Sequence, residues 1–167
     1  MDDLVTGAGT EVRVEVDLTP EQVWAVVTDV TRIGEWSPEC VGAGWLTGDG
    51  RPPRVGDRFE ARNAYPGGFT STVECVVTEA AAPSVFAWVV LDDARDPERP
   101  GSRWRYQLTS TPEGTLVTHT FTHGPGLTGL REGVDTYPER AADVIAGRLR
   151  QLHGNMTTTL RTMLEAR

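Results

Sequence analysis

The sequence predicts an α+β domain in which a seven-stranded antiparallel sheet carries one long C-terminal helix on one face. Three observations predict it. Apolar residues alternate with polar ones in seven short segments, the period of half-buried strands. Short Pro- and Gly-rich connections separate several of them, favouring a meander. Near the C-terminus a single long stretch carries apolar residues every three or four positions, so it is an amphipathic helix. A sheet with one apolar face and a helix with one apolar stripe must bury each other.

The elements follow in order. Residues 1–10 read as a flexible lead-in to a single domain spanning 1–167. Val12, Val14 and Val16 alternate with Glu11, Arg13, Glu15 and Asp17 and form the first strand. Thr19 suits an N-cap, Pro20 the first helical position and Gln22 a capping box. Val23, Val26, Val27 and Val30 then share one face of a short helix. A second short helical turn runs from about Thr31 to Trp36, and Pro38 stops it.

Six more strands are expected near 39–47, 57–65, 70–80, 84–92, 102–111 and 115–123. Residues 124–136 are glycine-rich, with Gly124, Pro125, Gly126, Gly129 and Gly133, and read either as a mobile flap carrying Leu127 and Leu130 or as a plain long connection. From about Tyr137 to Leu164, the positions Ala141, Ile145, Leu149, Leu152, Met156, Leu160 and Met163 form one apolar stripe. At ~1.5 Å per residue this helix would be about 40 Å long, enough to cross a small sheet.

Composition narrows the function classes. A chain of 167 residues with 38% hydrophobic and 24% charged content forms one core rather than a disordered chain. The net charge of -8 repels phosphate backbones and anionic bilayers, so neither nucleic acid nor stable membrane association is expected. No apolar run has transmembrane length and the acidic start is unlike a signal peptide, so a cytoplasmic location is the default. Cys40 and Cys75 fall in separate strands without CxxC spacing and read as reduced thiols. A monomer or weak homodimer is expected.

Strand parity selects the side chains that face the helix. Phe59, Ala61, Asn63 and Tyr65 oppose Arg58, Glu60 and Arg62. Ser71, Val73, Cys75 and Val77 form the next inward set. The fifth strand is apolar on both faces, and Phe86 and Trp88 are taken as inward. Trp104, Tyr106 and Leu108 oppose Arg103, Arg105 and Gln107. Val117, His119, Phe121 and His123 oppose Thr118, Thr120 and Thr122. Apolar walls with a few polar points match a small-molecule pocket; the plainer reading is that these aromatics fill the core. The candidate ligand-binding set is Trp36, Phe59, Asn63, Tyr65, Phe86, Trp88, Trp104, Tyr106, His119, Phe121, His123, Leu149, Leu152 and Met156.

His119 and Tyr106 are the candidate acid–base groups. His119 and His123 lie four residues apart on one strand, about 13 Å, which one metal ion cannot bridge. His153 lies beside the helix stripe. No metal and no cofactor are expected. No phosphate loop, serine–histidine–acid set or inward carboxylate pair is readable.

Several local motifs carry a family resemblance. They are Thr19-Pro20-Glu21-Gln22-Val23-Trp24, Glu35-Trp36-Ser37-Pro38-Glu39-Cys40, Val55-Gly56-Asp57-Arg58-Phe59 with Arg62-Asn63, Phe86-Ala87-Trp88, and Trp104-Arg105-Tyr106-Gln107-Leu108 before Gly114-Thr115. With the element order, they make residues 11–165 resemble the START-like, or Bet v 1-like, helix-grip (SRPBCC) superfamily, within it the polyketide cyclase/dehydrase and lipid-transport group. The resemblance implies a curved sheet gripping the last helix, with a ligand cavity between them. It implies either a carrier or sequestering protein for a hydrophobic or aromatic, polyketide-like molecule, or a polyketide aromatase/cyclase or dehydratase. Self-resistance against a reactive natural product such as an enediyne, and a co-chaperone role, also occur in this superfamily. Family cyclases commonly place arginine and tyrosine inside. Here Arg58, Arg62, Arg103 and Arg105 read as outward, which favours the binder.

Overall fold

The computed structural model describes residues 3–165. One antiparallel sheet has the strand order β1-β7-β6-β5-β4-β3-β2, with β1 Gly9–Val16, β2 Cys40–Trp45, β3 Arg58–Ala64, β4 Thr70–Ala81, β5 Val85–Val90, β6 Ser102–Thr111 and β7 Gly114–His123. Strands β2 to β7 form a meander, and β1 pairs with β7 at the far edge. Bulges between Cys40 and Gly42 and between Val77 and Glu79 interrupt the register. Each bulge adds twist and bend where it falls.

Helix α1, Pro20–Val27, starts with the expected reciprocal cap. The Gln22 N–H donates to Thr19 Oγ1 at 3.2 Å, and the Thr19 N–H donates to Gln22 Oε1 at 2.9 Å. Val23 and Val27 are its buried face. The second short helix is a 3₁₀ segment, Val30–Glu35.

Two expectations change after β7. The stretch read as a flap contains a helix, α2 Gly129–Thr136, capped by Thr128, whose Oγ1 accepts from the Arg131 N–H. Its two glycines, Gly129 and Gly133, hide the pattern, because glycine is a poor helix former and supplies no apolar side chain. The long helix begins later than expected. Pro138–Arg140 is a 3₁₀ turn, and α3 is Ala141–Glu165, 25 residues or about 37 Å.

The lead-in also differs. Met1 and Asp2 lie outside the described residues. The Asp3 carboxylate accepts the Val5 and Thr6 N–H groups at 3.1 Å, Val5 is buried, and β1 already begins at Gly9. Arg131 of α2 anchors the segment through Asp3 and Thr6. Hydrogen bonds from the Thr6 hydroxyl and N–H, and from Arg131, hold the Asp3 carboxyl well below its ordinary range.

The main core lies between the concave face and α3. It joins Val12, Phe59, Cys75, Val77, Phe86, Tyr106, Leu108, Val117 and Phe121 of the sheet to Leu152, Met156, Leu160, Met163 and Leu164 of α3. A second, small cluster of Val76, Val89 and Leu91 sits on the convex face. It explains why β5 reads as apolar on both sides: Phe86 and Trp88 face the main core, while Val89 faces this second one. At the β6–β7 turn, Gly114 has φ 156°, and a Cβ there would stand 2.1 Å from the Val16 carbonyl oxygen. Only glycine allows so close a backbone approach.

Candidate functional site

Register builds an aromatic wall across the concave face. Trp88 pairs with Trp104, Phe86 with Tyr106, Tyr106 with His119, and Trp104 with Phe121. Directly opposite residues on one face bring their side chains together. The Trp88 and Trp104 rings stack with centroids 6.2 Å apart and planes 6° apart. Tyr106 and His119 stack more closely, at 3.9 Å and 8°. Trp104 meets Phe121 edge-on at 4.9 Å. Phe59 meets both Trp45 and Trp88 edge-on. Trp45 is thus a further wall residue that parity reasoning over the later strands left out.

His119 stands apart chemically. It is 4% exposed, and both ring nitrogens are buried with no hydrogen-bond partner in the described residues. Desolvation disfavours its charged form and lowers its pKa to about 3. At neutral pH it is therefore an uncharged imidazole, with one N–H and one lone pair offered into the interior. Tyr106 is buried as well, and desolvation raises its pKa, so it keeps its phenolic proton. The stacked pair thus presents a neutral base beside a protonated donor.

Accessibility divides the site residues into a sealed floor and a reachable rim. Trp36, Phe59, Phe86, Tyr106, Phe121, Leu152 and Met156 are buried with His119. Asn63, Tyr65, Trp88, Trp104 and Leu149 face the same side yet keep partial exposure, as do Cys40, Ala43, Trp45, Ser71 and Val73. Inward residues of β2–β5 thus border reachable space, whereas the β7 side is closed. Asn63 Nδ2 donates to Ser71 Oγ at 3.3 Å, and the Tyr65 and Ser71 hydroxyls are 3.2 Å apart. Two grooves, of about 310 and 380 Å³, lie away from the wall, one along β1 and the end of α3, the other beside the β6–β7 turn.

Two placements differ from the pocket picture. His123 uses both ring nitrogens within the chain. Nδ1 pairs with the Gly124 carbonyl at 2.7 Å, which makes Nδ1 the donor, and Nε2 meets Thr128 Oγ1. His123 thereby ties β7 to the start of α2, and burial lowers its pKa. Trp36 is capped by the Arg32 guanidinium, 4.8 Å from its ring, and sits in the core beneath the 3₁₀ segment.

Sequence reasoning missed a rim ion pair. Arg148 of α3 donates to both Glu39 carboxylate oxygens, at 2.7 and 3.1 Å, and its guanidinium lies 5.9 Å from the Tyr65 ring centroid. The interior approach of an arginine therefore comes from the helix, not from a strand. The strand arginines face outward as parity predicts: Arg58 pairs with Glu74 and Arg105 with Glu79. The available signal was position alone, since Arg148 directly precedes Leu149 of the apolar stripe.

Among the described residues, no group of three His, Cys, Asp or Glu side chains is placed to hold a metal ion. No helix among them is long and apolar enough to cross a membrane.

The family model described as polyketide cyclase/dehydrase and lipid transport matches residues 8–160. The chain belongs to this family. A solved polyketide-cyclase-like protein from Corynebacterium glutamicum is 28% identical, over 95% of this chain and 90% of that one, with a TM-score of 0.65. The di-domain ARO/CYC StfQ from the steffimycin biosynthetic pathway is 16% identical with a TM-score of 0.73; the match covers 96% of this chain and half of that longer one. A protein from Chromobacterium violaceum is 12% identical over 95% and 96% of the two chains, with a TM-score of 0.64. At such identities the last two show the shared fold. None of the curated proteins matches the chain. For this member of the polyketide cyclase/dehydrase and lipid-transport family, the helix grip is thus a property of the chain. The use made of its interior is a separate question, because one fold hosts many functions.

Proposed function

We propose that this protein binds a flat hydrophobic or aromatic small molecule between the concave face and α3, as a carrier or sequestering protein. His119 carries the reading. A buried polar atom without a partner costs roughly 1–3 kcal/mol, and such atoms call for an explanation. Here neither ring nitrogen of one residue, set within an aromatic wall, has a partner among the described residues. A ligand hydroxyl or carbonyl would supply the missing partner, and Trp88 and Trp104 would stack on its body.

The experiment is thermal unfolding with a panel of aromatic polyketides and lipids. A binding ligand raises Tm, and Trp104→Ala or Tyr106→Ala diminishes that shift. Absence of any shift across the panel rejects the reading.

The stacked Tyr106–His119 pair favours a second reading, an aromatase/cyclase or dehydratase. The ligand's polar oxygens beside His119 would offset the desolvation that weakens it as a base, so that it could take a proton from carbon next to a carbonyl while protonated Tyr106 hydrogen-bonds the carbonyl oxygen. His119→Ala or Tyr106→Phe then lowers turnover by roughly 10²-fold with the fold intact. An unchanged product profile in both variants rejects this chemistry.

A further inference from the structure

We infer that the Arg148–Glu39 pair is a latch across the route by which a ligand reaches the aromatic wall. This rests on the binding reading and adds where the chamber opens and what holds it shut.

The first observation is how α3 sits. Its backbone comes close to β1, α1 and α2, and among the described residues it makes no comparable approach to any strand from β2 to β7. The seam at the β2 edge, the far side of the sheet from β1, is closed by side chains alone. The second is that accessibility survives there: Asn63 of β3, Tyr65 just beyond it, Ser71 of β4 and Trp88 of β5 face inward and are partly exposed.

The third is what spans it. Arg148 grips Glu39 with two hydrogen bonds, and the side chains are only 25% and 16% exposed. The pair joins positions 109 residues apart. Glu39 sits on the short connection between the 3₁₀ segment and β2, where Ser37 Oγ accepts the Glu39 and Cys40 N–H groups at 3.2 and 2.9 Å. Among the described residues, the other side-chain hydrogen bond between α3 and the sheet side of the molecule joins His153 Nδ1 and Thr10 Oγ1, 3.1 Å apart, at the opposite edge on β1. Removal of the pair therefore frees one edge of α3 and leaves the other anchored, which is the arrangement of a hinged gate. A partly buried, two-pronged pair holds such an edge more firmly than a solvated one.

Cys75 reports the opening without any ligand. It is on the concave face, is 1% exposed, and is a free thiol. In a Cys40→Ser background, its reaction with uncharged 4,4′-dithiodipyridine is followed under native conditions. Glu39→Gln and Arg148→Met should each speed it about 10-fold or more, the loss of closure expected when a local opening is favoured. The charge-swapped double variant Glu39→Arg/Arg148→Glu should return it toward the slow rate. Raising salt from about 0.05 to 1 M should speed it in the Cys40→Ser protein, since salt weakens the pair, and should have little effect on Glu39→Gln.

The latch is refuted if the single variants react at the unaltered rate. It is also refuted if they accelerate only by the factor by which urea unfolding shows global stability to have fallen. If the single variants do not fold, a salt-independent rate in the Cys40→Ser protein refutes it. A ligand panel without effect on Tm would overturn the binding reading and leave these thiol rates to decide the gate.

Discussion

At the scale of single residues, His119 is a stability cost that folding alone does not justify. Replacing a buried unsatisfied polar group by an apolar one of similar size is neutral or stabilising. His119→Leu should therefore raise Tm by a few degrees, on the order of 2–4 °C per kcal/mol regained for a chain of this size, and weaken ligand response. Thermal scans of the two proteins check this; a clear fall in Tm would mean that the stack on Tyr106 outweighs the unpaired nitrogens. The sign of the pH dependence follows from the same residue. Its pKa is about 3 when folded against 6.5 ordinarily. Between those values the unfolded chain takes up a proton that the folded chain refuses. Stability is thus fully present above about pH 6.5 and is lost as pH falls toward 3, with a limiting slope of about 1.4 kcal/mol per unit for one group. His123, also lowered by burial, acts in the same direction. Acid titration of wild type and His119→Leu should show the variant losing less stability between pH 6.5 and 4; identical slopes would contradict the assignment.

At the scale of elements, signals within a few residues of one another were the legible ones. The Thr19–Gln22 cap formed as read, because its two hydrogen bonds depend only on local backbone geometry. Thr19→Ala should destabilise the protein by about 1 kcal/mol, measured by urea unfolding; no change would mean that tertiary packing alone holds α1. Strand parity was legible for the same reason, since alternation needs no knowledge of the partner strand. Helix α2 was not legible: Leu130 and Val134 are four apart, but Gly129 and Gly133 break the pattern around them. Its contacts with the 3–6 segment come from a distant part of the chain. The ambiguity of β5 has a similar origin. Val89 is apolar because the convex face has a small cluster of its own, built with Val76 and Leu91.

At the scale of the whole molecule, the helix grip places two tryptophans in reachable space above a sealed floor. Ligand entry there should quench tryptophan emission and give a negative heat-capacity change, the mark of apolar burial. Titration calorimetry at two temperatures, with fluorescence of Trp88→Phe and Trp104→Phe as controls, checks this. A ligand that binds without altering the emission of either residue would lie elsewhere, such as in the groove between β1 and the end of α3.

Taken by itself, the sequence determined the order of the seven strands and of the first and last helices, the inward face of the strands that alternate, the cap of α1 and the stripe of α3. Each is written in spacings of one to four residues, the range over which backbone geometry repeats. Tertiary structure decided the rest. The Tyr106–His119 stack needs the β6–β7 register, and the two unpaired nitrogens of His119 follow from what the surrounding strands fail to offer. The Arg148–Glu39 pair needs α3 laid across the sheet at one angle, bringing together positions 109 residues apart. No local period encodes such a meeting; it is set by how the helix and the curved sheet pack against each other.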